Sequence, residues 1–134
     1  MDTVKRPRYQ TYTGEACPVE ASLELFGGKG KGMILYHLLN GELRFNELKR
    51  RMGQITQRML TKQLRELELV GLVHREVFPE VPPHVEYSLT PMGQSLSPVL
   101  LALKEWGEVH ALPQLRRLNS EQGVDETAAG HCPH

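Results

Sequence analysis

Two stretches decide how this chain is read: Arg44-Phe45-Asn46-Glu47-Leu48-Lys49-Arg50-Arg51-Met52-Gly53, and Gln57-Arg58-Met59-Leu60-Thr61-Lys62-Gln63-Leu64-Arg65-Glu66-Leu67-Glu68-Leu69-Val70. In the first, Phe45, Leu48 and Met52 fall on one helical face, and the basic triplet Lys49-Arg50-Arg51 falls on the other. Gly53 breaks the pattern. Ile55-Thr56 then leads into the second stretch, with Thr56 suited to the N-cap and Gly71 to the stop. Leu60, Leu64 and Leu67 form a buried stripe. At about 100° per residue, Arg58, Thr61, Lys62 and Arg65 gather on the opposite side. A short helix, a tight turn and a second helix with a polar, basic outer face make a helix-turn-helix.

Downstream, Leu72–Phe78 and Val85–Leu89 read as strands, the second alternating Val85, Tyr87 and Leu89 with Glu86 and Ser88. Pro79-Glu80-Val81-Pro82-Pro83-His84 between them is a proline-stiffened hairpin tip, so the pair reads as a wing. Thr90-Pro91 opens another helix. Its residues Leu96, Val99, Leu103, Trp106 and His110 recur at steps of three and four, and Leu100 and Leu101 widen the stripe. That is more apolar surface than a small winged helix covers alone, so part of it is expected to face a second subunit. Pro98, inside this pattern, is expected to kink the helix. From Leu112 the pattern fades, and 111–134 is expected to be a largely disordered extension.

Upstream, residues 1–16 are polar and unpatterned, a flexible arm. Cys17-Pro18-Val19-Glu20 looks like a helix start with proline at its first position, followed by Val19, Leu23 and Phe26 at helical spacing. Gly27-Gly28 ends it. The glycine-rich GGKGKG (27–32) lacks both a preceding strand and the Lys-Ser/Thr pair of a phosphate loop, and reads as a connector. Met33, Ile34, Leu35, Leu38 and Leu39 make a short apolar helix that stops at Asn40-Gly41. The expected fold is mainly α with a small β-hairpin wing (α+β): a winged helix-turn-helix over 17–110 with extra N- and C-terminal dimerisation helices.

Composition narrows the function. The 134 residues suffice for one domain, and 40% hydrophobic content allows a core, while 6% aromatics do not suggest a carbohydrate groove. No apolar run approaches the roughly 18 residues of a membrane span, and the N-terminal residues lack a secretory signal, so a cytoplasmic location is expected. Net charge is zero, yet residues 44–75 carry eight Lys or Arg against three Glu, and Lys5, Arg6 and Arg8 add to the arm. A basic middle on a neutral chain is a localised electrostatic footprint for nucleic acid. No Ser-His-Asp or metal-helix constellation is present, so no enzyme and no cofactor is expected.

Taken together, RFNELKRRMGQITQRMLTKQLRELE (44–68), PPHVEYSLTPMG (82–93) and the run from Cys17 through GGKGKG resemble the HxlR-type winged helix-turn-helix regulators, relatives of the MarR type. The resemblance covers about Ala16 to Gly107. It implies a homodimer joined through the first and last helices, with two recognition helices presented to double-stranded DNA at a pseudo-palindromic operator. Such proteins often respond to small electrophiles or oxidants. Val19, Leu23, Phe26, Leu96, Val99, Leu103 and Trp106 are then expected at the dimer interface. One departure is clear: the family usually has Trp after GGK, and this chain has Gly30.

On the recognition helix, Gln57, Arg58, Thr61, Lys62 and Arg65 are candidates for the major groove. Arginine suits the O6/N7 pair of guanine, glutamine suits N6/N7 of adenine, and lysine or threonine can hold phosphate. On pattern alone the same face is also that of an ordinary solvated helix. Arg44, Lys49 and Arg50 are expected to position the backbone, with Arg51 beside them. In the wing, Arg75 and His84 are candidates for phosphate or minor groove, or simply exposed hairpin residues. Cys17, before Pro18, sits where a helix dipole favours negative charge. Some members of the resembled family use a cysteine at this place as a redox or electrophile sensor; a small residue chosen for packing is the plain alternative. His131, Cys132 and His134 look faintly like half a metal clip, too little for a metal site. The competing functional reading is a degenerate winged helix that serves as a protein–protein adaptor.

Overall fold

The structure is a computed structural model that describes residues 16–28 and 30–122. The arm expected over 1–16, except Ala16, and the His131, Cys132 and His134 cluster lie outside the described residues.

Helix α1, Pro18–Phe26, starts after an extended Cys17 and uses Pro18 in its first turn, where a missing N–H leaves no bond unmade. Phe26 is buried in the core of its own protomer, whereas Val19 and Leu23 are exposed. Gly30, at φ +93°, turns the chain into α2, Lys31–His37, which a tight 3₁₀ turn at Leu38–Asn40 extends. Gly27, Gly28 and Gly30 thus stand between two helices, and Lys31 and Gly32 are already the first residues of α2.

A two-residue strand that sequence patterning does not reveal, β1 (Leu43–Arg44), leads directly into α3, Phe45–Met52. Helix α4, Gln57–Leu69, follows, and the Thr56 hydroxyl caps it by accepting the Met59 N–H at 3.0 Å. Gly71, at φ +85°, ends α4: Leu72 N–H donates to the Leu67 carbonyl at 3.0 Å and Gly71 N–H to Glu68 at 3.1 Å. That pair of bonds is a Schellman stop, which needs a left-handed residue at the glycine position.

Strands β2 (Val73–Phe78) and β3 (His84–Leu89) form the hairpin, and the sheet order is β1-β3-β2, antiparallel throughout. Leu43 and Arg75 both pair with Tyr87, and Arg44 and Glu76 both pair with Glu86. Directly paired residues share a sheet face. Val73, Arg75, Tyr87 and Leu43 therefore share one face, on which Val73, Tyr87 and Leu43 are buried and Arg75 stays exposed, and Arg44, Glu76 and Glu86 line the other face.

The C-terminal part corrects the expected single kinked helix. It is split into α5, Pro91–Gln94, and α6, Ser97–Trp106. Pro98 lies in the first turn of α6, where no intrahelical N–H bond is lost, so it starts a helix rather than bending one. A π-helical turn, Gly107–Ala111, then passes into α7, Leu112–Gln122. The segment expected to be largely disordered from 111 is thus helical as far as Gln122.

Ile34, Leu35, Leu38, Leu48, Leu60, Leu64, Leu67, Leu72 and Val73 are the most deeply buried side chains, drawn from α2, the 3₁₀ turn, α3, α4 and the foot of the hairpin. Each contributes about 1.5–3 kcal/mol through removal from water, which fixes the three helices and the sheet around one core. Leu100 of α6 and, less completely, Leu96 join this core, while Val99, Leu103 and Trp106 stay exposed. Among the described residues, no helix is long and apolar enough to cross a membrane.

Candidate nucleic-acid interface

Burial of Leu60, Leu64 and Leu67 fixes the rotation of α4, and that rotation leaves Gln57, Arg58, Lys62 and Arg65 exposed with Thr61 half-buried beside them. The inward face holds one polar group, Gln63, whose amide donates to the Met59 sulfur at 3.3 Å. Immediately before α4, the last turn of α3 carries Lys49, Arg50 and Arg51, with Arg50 and Arg51 exposed. Exposed cations thus stand at the end of α3 and along α4, which follow one another in the chain.

Arg44 is exposed at the start of α3, and its backbone N–H is held by the Glu47 carboxylate at 2.9 Å. Its strand register also sets it opposite Glu86, in the middle of the wing. Arg75 is exposed on β2. His84 is half-buried. Its ring stacks on Phe78 with centroids 4.6 Å apart, its side chain is 13% exposed, and its nitrogens lie 3.2 Å from Glu86 and 3.7 Å from Glu80. These contacts hold the His84 ring at the tip of the wing, and Arg75 is an exposed basic side chain of the same hairpin.

Two features escaped sequence reasoning. Lys31, in the first turn of α2, forms an ion pair with Glu66 of α4 at 2.8 Å, and Lys62 stands 4.0 Å from the other oxygen of the same carboxylate. His37 is buried in α2, and its pKa is lowered by burial first and by the positive charge of Arg51 second. Neither leaves a local pattern, because both arise from contacts between separate elements.

Cys17 is exposed at the N-cap of α1, without a side-chain capping bond. Val19 and Leu23 of α1, and Val99, Leu103 and Trp106 of α6, are exposed apolar side chains. Further along the chain Val109, Leu112, Leu115 and Leu118 are exposed as well, with Trp106 packed 5.4 Å from the His110 ring. Among the described residues, no group of three or more His, Cys, Asp or Glu is arranged to hold a metal ion.

Comparison with known proteins agrees with this geometry. The family model described as "HxlR-like helix-turn-helix" matches residues 25–115. YdeP of Bacillus subtilis, an uncharacterised HTH-type transcriptional regulator, is 57% identical over 100 residues, 75% of this chain and 78% of that protein. YybR of the same organism is 60% identical over 94 residues, 70% of this chain and 75% of its own length. Among solved structures, the redox regulator HypR in its oxidised form is similar at 58% identity and a TM-score of 0.68, covering 70% of this chain and 97% of that one. Diamide-treated YodB from B. subtilis is similar at 35% identity and a TM-score of 0.60, covering 72% and 97%. YdeP and YybR are thus both named as HTH-type transcriptional regulators, and HypR as a redox regulator. A chain with this winged head, matched over most of its length, belongs to the HxlR-like helix-turn-helix family of DNA-binding transcriptional regulators.

Proposed function

We propose that the protein binds a pseudo-palindromic DNA operator as a homodimer, with α4 of each protomer in the major groove and the β2–β3 wing beside it. One observation carries this reading: packing of Leu60, Leu64 and Leu67 turns Gln57, Arg58, Lys62 and Arg65 outward on one helix, which follows the basic end of α3 in the chain. Arg58 and Arg65 are the candidates for guanine, Gln57 for adenine, and Lys62, Arg50 and Lys49 for phosphate. The exposed apolar side chains of α1, α6 and α7 support the two-fold assembly, since a partner would remove them from water. Cys17, exposed at the head of α1, is the residue on which an oxidant or electrophile acts; similarity to a redox regulator and to a diamide-treated regulator supports that assignment.

The test is binding to DNA from upstream of the protein's own gene, read by fluorescence anisotropy over a range of salt. Arg58→Ala or Arg65→Ala is expected to lose about 1–3 kcal/mol if the side chain reads a base, and affinity is expected to fall as salt rises. Binding that ignores both salt and these arginines points instead to a protein–protein adaptor.

A further inference from the structure

The glycine-rich stretch supplies a charge to the reading surface that the mechanism above does not use. We infer that Lys31 is a positioning residue for DNA binding: it holds the Glu66 carboxylate and so leaves the Lys62 ammonium available to a phosphate. This inference rests on the reading of α4 as the helix that enters the groove.

The argument begins at Gly30. Its left-handed backbone lets α2 start at once, with Ile34 N–H bonded to the Gly30 carbonyl at 3.0 Å, so that Lys31 stands in the first turn facing α4. The Lys31 ammonium reaches Glu66 at 2.8 Å, and both side chains are shielded, at 12% and 16% exposure. On the other side of the same carboxylate, Lys62 is 4.0 Å away and 45% exposed. The two contacts differ in kind. At 2.8 Å the pair is a charge-assisted hydrogen bond, and at 4.0 Å it is at the outer limit of ion pairing. Glu66 is thus committed to the lysine that the duplex cannot reach.

The placement of Glu66 gives this commitment its effect. Glu66 lies one turn beyond Lys62 and next to Arg65, on the helix that offers its cations to DNA. Without Lys31, an uncompensated carboxylate would sit among those cations. It would draw Lys62 into an i,i+4 pair and set a negative charge near the phosphates. Lys31 itself is too shielded to serve as the phosphate contact. It acts through Glu66.

The experiment uses the full chain and a labelled random-sequence duplex, because a phosphate contact is independent of sequence. Loss of one contact with a salt slope of about 0.9 corresponds to roughly eightfold weaker binding at 0.1 M salt. Lys31→Met is expected to show that loss, with the slope shallower by about one. Lys31→Met/Glu66→Gln is expected to regain wild-type affinity and slope. Lys62→Ala is expected to cost less in the Lys31→Met background than in the wild type. A double variant as weak as Lys31→Met overturns the inference, as does an equal loss from Lys62→Ala in both backgrounds. Should Lys31→Met fail to fold, Glu66→Gln alone decides: binding at least as tight as wild type supports the inference, and weaker binding overturns it. A wild-type protein that shows no salt-dependent binding to any duplex refutes the DNA-reading helix itself, before the variants are compared.

Discussion

Thr90 joins the end of the recognition helix to the start of the C-terminal helices, and Thr90→Val tests how much that junction contributes. The hydroxyl donates to the Gly71 carbonyl at 2.5 Å and accepts the Gly93 N–H at 3.0 Å, while the backbone N–H of Thr90 donates to Leu72 at 3.1 Å. Valine keeps the branched shape and the backbone bond but removes both hydroxyl bonds. Loss of the cap of α5 costs about 1 kcal/mol, and leaving the Gly71 carbonyl without its partner costs about 1 kcal/mol more. The expected destabilisation is therefore about 2 kcal/mol, or about 10 °C in Tm for a domain of this size. The assay is urea unfolding followed by circular dichroism, at one protein concentration because assembly contributes to stability. Thr90→Ser retains the hydroxyl and is expected to stay within about 0.5 kcal/mol of wild type. Equal midpoints for the valine and serine variants would refute the reasoning, since only the hydroxyl separates them.

Further expectations follow from burial and exposure. Because burial and Arg51 lower the pKa of His37, the unfolded chain takes up a proton near pH 6.5 before the folded chain does. The contribution of His37 to stability is therefore complete above pH 6.5 and declines below it, by at most about 1.4 kcal/mol per pH unit. Unfolding midpoints at several pH values check this, and a His37→Leu variant with the same acid slope as wild type contradicts it. Leu103→Glu, at an exposed position of α6, is expected to leave the head folded and yield a monomer by light scattering; a dimer-sized particle rejects that seam. Cys17→Ser is expected to abolish any loss of operator binding on diamide or quinone treatment, and an undiminished response removes Cys17 from the sensing role.

Reading of the sequence recovered the elements whose signals are local. The α4 register was legible because Leu60, Leu64 and Leu67 repeat at helical spacing between a Thr56 cap and a Gly71 stop. The hairpin was legible to within one residue at each strand, since alternation and prolines mark it. β1 was not, because two residues become a strand only through the partner they find in β3. Pro98 misled because the same residue breaks a helix interior and opens a helix start, and only the turn before Ser97 distinguishes the two. At the site, exposure of Arg58, Lys62 and Arg65 follows from the periodicity of α4. The engagement of His84 by Phe78, Glu80 and Glu86 depends on hairpin register, and the Lys31–Glu66 pair depends on how α2 lies against α4.

The π-helical turn at Gly107–Ala111 gives the C-terminal segment one residue of slack. Shortening the chain by one residue within it should convert the wide turn to an α-turn and leave Leu112, Leu115 and Leu118 aimed nearly as before. The same deletion inside α6 would swing every later side chain by about 100° about the axis. Loss of one residue from this segment is therefore tolerable within the wide turn, where the apolar side chains beyond it keep their direction.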